Sequence, residues 1–264
     1  MTSETVKFEV AEGVGVITLN DPASLNAFTS AMGDALLEAF TEIASPSSGI
    51  RAAILTGAGR HFCAGVNLAV RGKQLREEGG VDLGLNLGLH INPLVLMARD
   101  LRVPLIAAVN GPAVGVGFGF ALMADLIFAA ESSYFMEPFC RVGLVPDGGM
   151  THVIPRLIGK ARAMELALFG SRLSAAKALE WGLINRVLPD GELMQHALEA
   201  AAQLAKGPLS LGAIRHLIAR GADSALPDQL DLERATQRAM GNTADYREGV
   251  FSFLEKRPPV FQGR

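Results

Sequence analysis

Cysteine is scarce in this chain of 264 residues: only Cys63 and Cys140 occur. Two thiols cannot build a disulfide framework, and no Cys-x-x-Cys pair offers the spacing of a zinc site. Charge is sparse as well, at 19% of residues with a formal net charge of -3, against 49% hydrophobic residues. That balance excludes a disordered polyelectrolyte and leaves no concentrated basic face for nucleic acid. The opening residues, MTSETVKFEV, hold no apolar export core, so the expected location is the cytoplasm. Also missing are GxxxxGK(S/T), HExxH and GxSxG, the patterns of P-loop nucleotidases, zinc peptidases and serine hydrolases. Gly115, Gly117 and Gly119 follow GxGxG spacing, with no acid at the distance a dinucleotide ribose requires. The five histidines lack metal spacing, so no metal is expected.

What is present is apolar and alternating. Residues 105–124 form the longest apolar run, about the ~20 residues of a membrane span. Asn110-Gly111-Pro112 interrupts it, and such a turn inside lipid would strand backbone groups. A buried strand (Leu105–Val109), a turn and a buried helix from Val116 to about Ala124 fit better, with no membrane partner. Upstream, Lys7–Val10 and Val14–Leu19 read as a hairpin around Glu12-Gly13. Thr29 or Ser30 caps a helix to about Ala44, with Met32, Leu36, Phe40 and Ile43 at helical spacing. Ala52–Thr56, Leu126–Ala130 and Tyr134–Met136 are further strands, and residues 86–101 a helix. Residues 70–90, rich in glycine and charge, read as a flexible surface loop.

After Asp147 the pattern turns helical, over residues 160–169, 174–181, 191–206, 208–220, 227–240 and 243–256. Within 191–206, Leu193, Ala197, Ala201 and Leu204 share one face. Strands first and helices afterwards define an α/β core, residues 1–190, and a helical region, residues 191–264.

Two segments could carry chemistry. His61-Phe62-Cys63-Ala64-Gly65-Val66-Asn67-Leu68 follows one buried strand, and Asn110 to Gly117 follows another. Each puts small residues and accessible backbone N–H groups where a strand ends. Two such amides converging on one point make an oxyanion hole. From spacing alone, tight strand–helix packing explains the small residues more simply.

Phe62-Cys63-Ala64-Gly65-x-Asn67-Leu68 closely resembles the FCAGxDL signature of the crotonase (enoyl-CoA hydratase/isomerase) superfamily, and Asn110-Gly111-x-Ala113-x-Gly115-x-Gly117 its NGxAxGGG segment. The resemblance continues through Leu144-Val145-Pro146-Asp147-Gly148-Gly149, Gly159-Lys160-Ala161, Trp181-Gly182-Leu183 and Tyr246-Arg247-Glu248-Gly249. The LVPDGG segment and the chain's ending are most similar to the phenylacetate-pathway ring-epoxide isomerase subgroup. The family implies a spiral of ββα units and a C-terminal helical region that assembles a homotrimer or dimer of trimers. It implies an acyl-CoA thioester whose carbonyl sits between the backbone amides of Val66 and Val116. Coenzyme A is then part of the substrate, and no separate cofactor is implied. Contacts to it fall on Leu25, Ala27, Ala64 and Leu68, with Phe253 and Lys256 near the nucleotide of a neighbouring subunit.

The departures from the family pattern are informative. Val116 replaces a glycine, Asn67 an aspartate, and Ala23 a basic residue. The two glutamates of family hydratases fall at Gly119 and Phe139, and neither can move a proton. Asp147 remains, at a position where some family isomerases keep their working aspartate. Taken alone, an aspartate in Pro-Asp-Gly-Gly is a turn or cap residue; in the family register it becomes the proton carrier. One carboxylate suffices to move a double bond, whereas hydration ordinarily uses two. The expected activity is therefore an acyl-CoA isomerase, with Gly119, Glu137 and Phe139 lining the pocket. A hydratase using Asp147 and Glu137, a hydrolytic dehalogenase and a non-catalytic CoA-ester binder are the alternatives. His90 is the one histidine expected near the pocket, and Cys63 and Cys140 read as small buried fillers.

Overall fold

The computed structural model describes residues 5–78, 80 and 82–264. β1 (Val6–Ala11) and β2 (Val14–Leu19) form the hairpin, with Glu12 and Gly13 at positive φ of 50° and 79°. α1 (Ser30–Ala44) begins at Thr29, whose hydroxyl accepts the Met32 N–H at 3.2 Å. There follow β3 (Ala52–Gly57), α2 (Leu68–Glu78), α3 (Leu83–Asn86), a π turn (Leu87–Ile91), α4 (Asn92–Asp100), β4 (Leu105–Val109) and β5 (Ala113–Val114). Next are α5 (Val116–Leu122), β6 (Leu126–Ala130), β7 (Tyr134–Met136), α6 (Met150–Ile158), α7 (Lys160–Phe169), β8 (Leu173–Ser174) and α8 (Ala175–Glu180). β9 (Arg186–Leu188) precedes α9 (Leu193–Ala205), α10 (Ser210–Gly221), α11 (Leu226–Met240) and α12 (Ala244–Leu254).

The main sheet runs β1-β2-β3-β4-β6-β9, parallel throughout except for the β1–β2 hairpin. A smaller sheet, β5-β7-β8, stands apart from it. In β3, β4 and β6 the side chains alternate between two apolar layers. Ala53, Leu55, Leu105, Ala107, Val109, Ile127 and Ala129 face one layer, with α1, α4 and α5. Ala52, Ile54, Ile106, Ala108, Phe128 and Ala130 face the other, with α9. Strands buried on both faces must be apolar throughout, which is why they read as unbroken hydrophobic runs. Residues 105–124 thus supply β4, β5 and α5. No helix among the described residues is long and apolar enough to cross a membrane.

α9 buries Leu193, Ala197, Ala201 and Ala205, while Leu204 packs at the margin, one position out of the expected stripe. α10 is held to the body by Arg215. Its guanidinium donates to the carbonyls of Arg99 (2.8 Å), Leu101 (2.6 Å) and Ala98, and to Asp125 Oδ2 at 2.6 Å. Asp245 in α12 fixes the tail by accepting the N–H groups of Leu209, Gln262 and Gly263 at 2.7 to 2.9 Å.

Two expectations are corrected. Residues 70–90 are largely helical, not a loop, although Gly79 sits among residues outside the described set, as does Val81. Asn67 starts α2: its Oδ1 accepts the N–H groups of Ala69 and Val70 at 3.1 and 3.2 Å. Arg71, Lys73, Gln74 and Arg76 are good helix formers, and a Lys73–Glu77 pair at 3.9 Å spans one turn. The helix expected over 86–101 contains a π turn at Leu87–Ile91, where Asn92 N–H reaches back to Leu87 O. Pro93 has no N–H to continue the ordinary ladder, so the wider turn forms just before it.

Candidate active site

The site grows from the carboxyl ends of β3 and β4, where parallel sheets open their crevices. The Thr56 hydroxyl donates to Ala108 O at 2.8 Å, and Asn110 Oδ1 accepts the Gly57 N–H at 3.1 Å. Asn110 Nδ2 closes the same junction on Gly59 O at 2.9 Å. A Cβ at Gly111 would lie 2.1 Å from Arg60 O, so only glycine fits there. Beyond the junction the two segments run side by side, with a parallel bridge pairing Cys63 with Ala113. Cys63 N–H donates to Pro112 O at 3.1 Å, and Val114 N–H to Cys63 O at 2.9 Å.

Past that bridge Gly65 lies against Val114 and Gly115, and Val66 and Val116 each come directly after a glycine at positive φ: Gly65 (87°) and Gly115 (55°). Among the described hydrogen bonds, neither Val66 N–H nor Val116 N–H has a protein acceptor. Val116 opens α5, where N–H groups have no intrahelical partner. The Leu25-Asn26-Ala27 loop is zipped onto the first segment: Ala64 N–H donates to Leu25 O at 3.1 Å, and Phe28 N–H to Gly65 O at 2.7 Å. Asn26, fully buried, locks this loop by donating to Ala58 O and His61 O at 2.9 and 2.7 Å. Leu25 and Leu68 stay exposed beside buried Ala27. A cavity of about 160 Å³ opens at Val66, lined also by Phe28, Asn67, Arg71, Gln74 and Asn86.

Two carboxyls belong to residues whose chain neighbours contact α5 and the Gly115–Val116 turn. Asp147 is half-buried with an enclosed Oδ1 that has no hydrogen-bond partner, and burial pushes its pKa up to about 6. The adjoining Gly148 is in contact with Gly119, where an added Cβ would lie 3.4 Å from Gly148 Cα. Glu137 is 2% exposed, its Oε1 is likewise enclosed and unpartnered, and burial pushes its pKa up to about 7. It follows Met136, which pairs with Val114 and accepts the Gly115 N–H at 2.9 Å. The Phe139 ring reaches Gly115, 3.8 Å from where a Cβ would stand. Both acids can therefore exchange protons near neutral pH.

Other expected residues are not among those lining the cavity at Val66. Phe253 lies in an open groove with Tyr246 and Val250, which includes none of Leu25, Ala27, Ala64 or Leu68. Lys256, at φ 54°, follows α12. His90 Nδ1 is 3.2 Å from Asp34 Oδ1, which engages it on the α1 side. Cys63 is buried and burial pushes its thiol up to about 12, but Cys140 is exposed, in the short 3₁₀ turn Pro138–Val142, and is no filler. Asn26, Thr56 and Asn110 escaped the sequence reading as junction residues, because their partners are backbone groups distant in sequence.

Residues 9–264 match the enoyl-CoA hydratase/isomerase family, and the chain belongs to it, as an enzyme of the crotonase fold. It is 44% identical over 262 residues to 1,2-epoxyphenylacetyl-CoA isomerase of Escherichia coli, covering 99% of both chains. A protein named "probable enoyl-CoA hydratase" from Rhodobacter capsulatus is 42% identical over 265 residues, covering all of both. The crystal structure of an enoyl-CoA hydratase from Bacillus anthracis superposes with a TM-score of 0.89 at 32% identity, over 98% of this chain and 100% of that one.

Proposed function

We propose that this enzyme is an acyl-CoA isomerase that moves a double bond, or rearranges a ring epoxide, through a thioester enolate. The amides of Val66 and Val116 hold the thioester oxygen as it gains charge, in a site where fixed donors need no reorganisation. Asp147 removes a proton from one carbon and returns it to another. The observation that carries this reading is the single acid at the family's working positions: Asp147 has a raised pKa, while Gly119 and Phe139 have nothing to titrate. Similarity to the E. coli isomerase supports the ring-epoxide class of substrate. Leu25, Ala27, Ala64 and Leu68 would receive the pantetheine and adenine parts, with Phe253 and Lys256 reaching a neighbouring subunit's ligand.

The test is Asp147→Asn assayed with paired 2-enoyl and 3-enoyl CoA esters. General acid–base groups are typically worth about 10² to 10⁴ in rate, so isomerisation should fall by that range while CoA-ester binding persists. Near wild-type turnover in the variant would remove Asp147 from the mechanism.

A further inference from the structure

We propose that Glu137 is a second proton-carrying residue of this site, acting with Asp147 on acyl groups in which a carbon–oxygen bond breaks. This rests on the isomerase reading and extends it to a class of substrate. Three observations carry it. The parallel register pairs Val114 with Met136, so Glu137 leaves β7 at the point where the partner segment enters the Gly115–Val116 turn. The Met136 carbonyl is bonded to Gly115 N–H, and Phe139 packs on Gly115, so the residues flanking Glu137 are clamped to the turn that presents that amide. Finally, Glu137 is 2% exposed, with an enclosed oxygen that no protein group satisfies.

A buried, unpartnered carboxyl costs stability, and a side chain serving only structure would be apolar or paired. Phe135, two residues earlier on the same face of β7, shows the ordinary solution: it is fully buried against Phe118, with ring centroids 5.1 Å apart. Burial also raises its pKa to about 7, so a protonated, donating form remains available up to neutral pH.

The step balances without any added reagent. Asp147 carboxylate takes the proton from the carbon next to the thioester, and the electron pair moves onto the thioester oxygen at the two amides. As that pair returns to form the carbon–carbon double bond, the bond from the next carbon to oxygen breaks. Glu137 gives its proton to the departing oxygen. Asp147 ends protonated and Glu137 ionised. An epoxide oxygen remains tethered through its second bond, so the product is an isomer; a free hydroxyl departs as water.

The experiment separates the two acids. Wild type, Glu137→Gln, Glu137→Asp and Asp147→Asn are assayed with 1,2-epoxyphenylacetyl-CoA and a 3-hydroxyacyl-CoA for carbon–oxygen cleavage. Exchange of the proton next to the thioester is followed in D₂O on the saturated phenylacetyl-CoA. Glu137→Gln is expected to lower cleavage by about 10² to 10⁴ while exchange stays within a few-fold, and Glu137→Asp to recover part of the loss. Equal loss of both readings, no loss in either, or no cleavage by wild type of either substrate overturns the proposal. If Asp147→Asn leaves exchange intact while Glu137→Gln still loses cleavage, the Asp147 assignment fails and Glu137 stands. Melting temperatures and CoA-ester affinities confirm that each variant is folded. Should Glu137→Gln not fold, the Glu137→Asp comparison decides: unchanged cleavage overturns the proposal and a selective loss supports it.

Discussion

Burial alone raises the pKa of both Asp147 and Glu137; no charged neighbour contributes to either shift. A base works in its ionised form, so kcat for isomerisation should fall as pH drops through about 6, the range set by Asp147. A rate flat from pH 5 to 8 would assign the proton transfer elsewhere. For Glu137 the folded pKa of about 7 lies above its ordinary value of 4.5, so its favourable contribution is present below 4.5 and is lost as pH rises toward 7. Glu137→Gln should therefore melt higher than wild type, by a margin that widens between pH 4.5 and 7 and then levels off. Calorimetry across that range reads it, and a constant margin would contradict it. Of the two, Asp147 was legible only through family register, since Pro-Asp-Gly-Gly is ordinary turn chemistry. Glu137 was expected to line the pocket, but not to be almost fully buried, because strand-end glutamates are usually solvated. Its place two residues after Phe135, on the same face, was the available signal.

Among the elements, those with a strong period were legible almost to the residue. β2, β4, β6 and β7 lie where the apolar runs placed them; β4 and β6, buried on two faces, tolerate little else. β5, β8 and β9, of two or three residues, leave no period to detect. α2 was hidden by Gly72 and by its exposed, charged surface, although Asn67 was in place to cap it. Asn67→Ala should cost about 1 kcal/mol, the usual value of a cap, read as a lower melting temperature. Gly117 is the tighter constraint on the site, because a Cβ there would meet Cys63 O at 2.5 Å. Gly117→Ala must push α5 away from the Cys63 segment, and the Val116 amide moves with it. The expected outcome is a loss in kcat exceeding that in CoA-ester affinity, together with a lower melting temperature. Gly88→Ala, where nothing lies within 4 Å, is the matched control and should leave both unchanged.

At the scale of the whole molecule, the C-terminal helices leave large apolar side chains in solvent. Ile218 is 72% exposed, Leu226 70%, Leu254 68% and Phe253 82%. Patches of this kind ordinarily mark an interface, so light scattering should report an oligomer at micromolar concentration. A stable monomer would count against it, and against a neighbour's use of Phe253 and Lys256. α9 has a different role, since it covers the second face of the main sheet. The sheet is formed by residues 6–188, but its cover lies at Leu193–Ala205. On a ribosome, the emerging chain therefore carries Ile54, Ile106 and Phe128 on a bare surface for most of its synthesis. Chaperone engagement should last until α9 clears the exit tunnel, and a chain stopped at residue 190 should aggregate where the full one does not.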